Sequence, residues 1–79
     1  MILLSKNTKL SNEKIRQKAV GFFKEKYGLS TESAGDCCID FIGGGGHVHL
    51  NIFNGEDGIK VEIEAKEWEE QAKKFLSLL

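Results

Sequence analysis

Between Asp36 and Glu64 apolar side chains recur at every second position in three runs, Cys37-Ile39-Phe41, Val48-Leu50-Ile52 and Ile59-Val61-Ile63. Two glycine-containing breaks separate them. Period-two alternation is the signature of a strand with one buried face, so the stretch predicts a three-stranded antiparallel meander. Two-residue hairpin turns need positive φ, which glycine adopts without steric cost. With Gly44-Gly45 as the first turn, Phe41 faces Val48, Ile39 faces Leu50 and Cys37 faces Ile52. With Asn54-Gly55-Glu56-Asp57 as the second loop, Ile52 faces Ile59, Leu50 faces Val61 and Val48 faces Ile63. All nine of these residues are apolar or cysteine, and a one-residue slip would turn one strand's apolar set toward water.

Helical spacing flanks the meander. From Glu13 to Tyr27, Ile15, Ala19, Phe22, Phe23 and Tyr27 fall on one face with lysines opposite, which predicts an amphipathic helix. Ser11 or Asn12 can cap its start, and Gly28 can close its end with Leu29 folding back. Gly21 weakens this helix and suggests close packing against the sheet. From Lys66 to Leu79, Trp68, Ala72, Phe75, Leu76 and Leu79 form a second apolar stripe. Ser30 to Gly35 is polar and reads as a connection. Ile2-Leu3-Leu4 reads either as a short N-terminal edge strand or as a loosely packed terminus. The predicted fold class is α+β, a two-layer sandwich of order α-β-β-β-α in a single domain, 1–79, with both helices on the one apolar face of the sheet.

Composition adds bounds to this picture. A chain of 79 residues buries only about 60% of its unfolded surface, so its core is thin and self-association is one remedy. Hydrophobic residues make up 41% and charged residues 29%, the balance of an ordinary folded domain rather than a disordered one. No window approaches the roughly 20 apolar residues of a membrane span, and the expected location is the cytoplasm. Net charge is −1 but unevenly spread, with +5 over residues 1–28 and −6 over the rest. The lysines of the basic segment are not interleaved with exposed aromatics, which argues against nucleic acid as a partner. Cys37 and Cys38 are adjacent, so their side chains should point to opposite faces, and a disulfide between them is not expected.

Gly43-Gly44-Gly45-Gly46, Val61-Glu62-Ile63-Glu64 and Glu67-Trp68 together resemble small uncharacterised prokaryotic α+β proteins of about this length. The resemblance covers roughly the C-terminal half of the chain and implies no activity, cofactor or site residue.

Candidate chemistry lies on the other face of the meander. The predicted register puts Asp40, His49 and Glu62 in one cross-strand row and Ile42, His47 and Glu64 in the next. A solvated face of register-fixing charge pairs is the simplest account. His47 and His49, with Asp40, Glu62 or Glu64 as oxygen donors, have the residue types of a metal or small-ligand site. Cys38, diagonal to His49 with Asp40 beside it, has the residue types of a reactive thiol with a base and an orienting acid. Gly43–Gly46 is followed by a strand rather than a helix N-terminus, so it reads as a hairpin turn and not as a phosphate cradle. No cofactor is implied. The function these features point to is a small, non-enzymatic interaction module that self-associates or takes a protein partner, with Ile42, Phe53 and the sheet edges as contacts. The alternative is a metal- or ligand-binding domain built on His47 and His49.

Overall fold

In the computed structural model, which describes residues 1–79, the chain forms strand β1 (Ile2–Thr8), helix α1 (Asn12–Ala19) and, without a break, a π-helical stretch (Val20–Lys26). There follow β2 (Ser30–Ala34), β3 (Cys38–Gly43), β4 (Gly46–Gly55), β5 (Gly58–Lys66) and helix α2 (Glu69–Ser77). The strands make one sheet in the order β1-β5-β4-β3-β2, antiparallel at every junction. The predicted meander is its centre, and two further strands flank it. Ile2–Leu4 belongs to the longer edge strand β1. Ser30–Ala34, expected to be a connection, is the opposite edge strand β2.

Alternation explains why the helices share a face. Ile39, Phe41, Val48, Leu50, Ile52, Val61, Ile63 and Ala65 are buried and point one way. Ile15, Ala19, Phe22 and Phe23 cover them from the first helical segment, and Ala72, Phe75 and Leu76 from the second. Phe23 joins the layers, its ring 5.3 Å from Phe41 and 5.2 Å from Phe75. Lys6 stands on the same face of β1, where its Nζ donates to the Leu76 carbonyl at 2.9 Å, a cation at a helix C-terminus where the macrodipole favours it.

Local signals behave as their chemistry requires. The Ser11 hydroxyl accepts from the Lys14 amide at 3.2 Å and caps α1. Gly28 takes φ 78°, and buried Leu29 returns its amide to Phe23 O at 2.9 Å. Gly21 has open space where a side chain would stand, so close packing is not its reason.

The register of β4 on β3 is as predicted, with Phe41 opposite Val48 and Ile39 opposite Leu50. Cys37 lies just outside β3, yet its carbonyl accepts from Ile52 N at 2.7 Å. The register of β5 on β4 is two residues away from the prediction. Gly55 pairs with Gly58, only Glu56-Asp57 turn the chain, and Ile52 faces Val61, Leu50 faces Ile63 and Val48 faces Ala65. The tighter turn adds ladder pairs and brings fully buried Ala65 over the core. Strand β5 therefore runs on to Lys66, and α2 begins at Glu69 rather than Lys66.

Candidate functional site

The face turned away from the helices is covered by no element of the chain. The shift at β5 re-sorts its rows. His49 lies between Asp40 on β3 and Glu64 on β5, and the row continues to Ser33 on β2 and Leu3 on β1. Glu62, expected beside His49, instead faces Asn51 and Ser5, and its carboxylate meets Lys60 Nζ at 3.4 Å. His47 stands between Ile42 and Lys66.

Hydrogen bonds tie this row together. His49 Nδ1 bonds Asp40 Oδ1, and the Ser33 hydroxyl donates to Asp40 Oδ2 at 2.8 Å. A carboxylate only accepts, so Nδ1 carries the proton in the first bond. His47 Nε2 lies 3.4 Å from Glu64 Oε1. The His49 hydrogen bond, reinforced by Ser33, holds the Asp40 carboxyl below the ordinary aspartate range against the opposing effect of partial desolvation. Glu32, Asp40, Ile42, His47, His49 and Glu64 line a shallow groove of about 360 Å³ here.

Chemistry follows from the order of the groups. In a serine-histidine-aspartate relay the imidazole stands between hydroxyl and carboxylate and removes the hydroxyl proton. Here the carboxylate stands in the middle and the Ser33 hydroxyl is spent on it, so Asp40 orients His49 while nothing activates Ser33. No three His, Cys, Asp or Glu side chains converge as a metal-ligand set. Of the metal candidates, Asp40, His49, His47 and Glu64 share the groove, and Glu62 lies outside it.

Cys38 does not stand as a free thiol in this structure. Its Sγ is bonded to that of Cys37, and the chain has no free cysteine. The expectation that strand geometry keeps the pair apart fails because Cys37 precedes β3 and is not bound by strand alternation.

The interface candidates do not form one patch. Ile42 is 39% exposed and pairs with His47, whereas Phe53 is 49% exposed and pairs with Lys60. Their rows lie six positions apart on β4, about 20 Å along the strand. Leu3, 66% exposed at the β1 end of the His49 row, is the more exposed apolar side chain. Leu3 and Ser33 both lie on edge strands, Ile2–Thr8 and Ser30–Ala34, whose sequences carry weak apolar alternation.

The glycine turn has a structural account. Gly44 and Gly45 take φ 58° and 80°. A side chain on Gly44 would stand 2.9 Å from Trp68 Cζ2, and one on Gly46 would stand 2.0 Å from the Lys66 carbonyl oxygen. The Trp68 indole donates to Gly43 O at 2.9 Å. The run is thus a hairpin on which the β5-to-α2 junction rests. Comparison with protein-family models, curated proteins and solved structures finds no match to this chain.

Proposed function

We propose that the protein is a non-enzymatic interaction module of the cytoplasm that pairs with a second copy of itself along the free edge of β1. The observation that carries this is the contrast between the two sheet edges. β1 pairs with β5 in unbroken register over seven residues, from Ile2 opposite Ala65 to Thr8 opposite Ile59, and no strand lies on its other side. Such an edge presents a row of backbone donors and acceptors to another strand. The β2 edge is shorter and is broken by a register shift between Thr31 and Ser33, a device that discourages strand addition. Exposed Leu3 supplies apolar area beside the β1 edge, and the thin core of a 79-residue chain gains from a continued sheet.

Sedimentation equilibrium across the micromolar range tests this. The wild-type chain is expected to approach twice its 8.8 kDa mass, and Leu3→Lys, which puts a charge beside the pairing edge, is expected to remain monomeric and to lose the rise of melting temperature with protein concentration that a self-pairing wild type shows. A monomeric wild type at every concentration rejects the proposal.

A second reading rests on the groove. His49 Nε2 hydrogen-bonds no protein group, and His47, Glu32 and Glu64 line the same depression; their residue types suit a divalent cation or a small cationic ligand, although no three of them converge on one point. Zinc titration followed by thermal shift and by the histidine ring resonances separates the two, since self-pairing along β1 predicts neither change.

A further inference from the structure

The bond between Cys37 and Cys38 is not explained by the fold. A disulfide stabilises a protein chiefly by closing a loop of the unfolded chain, and a bond between neighbours closes none. Nor does the β2–β3 turn need it. The Cys37 carbonyl accepts from Ile52 N at 2.7 Å, the Cys38 carbonyl from Gly35 N at 2.8 Å, and Asn12 Nδ2 donates to the Asp36 carbonyl at 2.9 Å. These bonds tie the turn to β4 and α1 and close it between Gly35 and Cys38 without using the sulfurs.

Two features make the bond exchangeable instead. Cys37 is exposed and Cys38 half-buried at the rim of the uncovered sheet face, so an attacking sulfur can reach the bond. After reduction the two thiols remain on consecutive residues, so each can resolve a mixed disulfide formed on the other.

We propose that Cys37 and Cys38 form a reversible two-electron redox site whose co-substrate is a low-molecular-weight thiol of the glutathione type and its disulfide. In reduction, a thiolate of the co-substrate attacks the sulfur of Cys37, the more exposed of the two residues. The Cys37–Cys38 bond breaks, a mixed disulfide forms on Cys37, and Cys38 leaves as a thiolate that takes a proton from water. A second co-substrate thiolate attacks its own kind's sulfur in that mixed disulfide, releasing the Cys37 thiolate, which is also protonated. The protein gains two electrons and two protons, and two thiols become one disulfide. Oxidation runs the same steps in reverse, with Cys38 displacing the co-substrate from Cys37.

The test uses the full chain purified without reductant and equilibrated in buffers running from glutathione disulfide alone to glutathione alone. Each sample is acid-quenched, alkylated with iodoacetamide and weighed as intact protein. The expected result is no alkylated cysteine at the oxidising end, two at the reducing end, the same curve from both directions, and an unchanged far-ultraviolet circular dichroism spectrum. In Cys38→Ser, a glutathione adduct on Cys37 is expected to persist about tenfold longer or more than in the wild type, because the resolving thiol is gone. Two alkylated cysteines at every ratio, none even in glutathione alone, or cross-linked dimers in place of the internal bond would each overturn the proposal. So would a Cys38→Ser adduct lost as fast as that of the wild type.

Discussion

Asp40 accepts hydrogen bonds from both His49 and Ser33, and both favour its charged form. A carboxyl whose folded-state pKa is depressed contributes stability that is fully present above its unfolded value, near pH 4. That contribution is lost as pH falls through the lower folded value. Asp40→Asn keeps the shape and removes the charge. The wild type is expected to be more stable than this variant by about 0.5 kcal/mol at neutral pH, a small figure because the pair is about one-third exposed and screened by solvent. The difference should shrink as pH falls below about 4, and thermal melts of both chains from pH 7 to pH 2 read it directly. A difference that grew on acidification would remove Asp40 as the charged acceptor of this row.

The β3–β4 hairpin is the element on which the C-terminal part of the molecule is seated, and its glycines serve different ends. Gly45 needs only its left-handed backbone, since nothing lies within 4 Å of an added side chain. Gly44 needs that backbone and also the space filled by Trp68, while Gly46 needs space against a backbone carbonyl that cannot swing aside. Alanine is therefore expected to cost about 1 kcal/mol at Gly45, about 2 kcal/mol at Gly44 and about 3 kcal/mol or more at Gly46. Urea denaturation of the three variants checks the ranking, and Trp68 fluorescence should shift for Gly44→Ala but not for Gly45→Ala. Just beyond this contact Glu67 takes φ 70°, a left-handed backbone that turns β5 into α2 without a glycine.

At the scale of the whole molecule, one core serves both helices and the sheet. Phe23 is fully buried and its ring lies against Phe22, Phe41 and Phe75. Phe23→Ala is expected to cost about 3–5 kcal/mol, most of the stability of a domain this small, whereas Phe53→Ala, half exposed, should cost about 0.5 kcal/mol. Urea midpoints measure both. Self-pairing along β1 belongs to this scale too, because it would extend a five-stranded sheet into a continuous one across two copies.

The alternation of apolar residues by itself determined the three central strands, the face that the helices cover and the hairpin at Gly44-Gly45, because burial of one face imposes a period of two that the chain carries locally. The helical stripes of α1 and α2, the Ser11 cap and the Gly28 end were legible for the same reason. Tertiary structure alone decided the pairing of β5, since a slip of two residues keeps every apolar side chain on its face and alternation cannot detect it. That slip gave His49 the partner Glu64 in place of Glu62. The edge strands β1 and β2 likewise depended on the sheet beside them, because strands that are short or largely polar are held by ladder hydrogen bonds rather than by their own apolar pattern. The Cys37–Cys38 bond depended on where β3 begins, a boundary set by its contacts with β2 and β4 and not by the two cysteines.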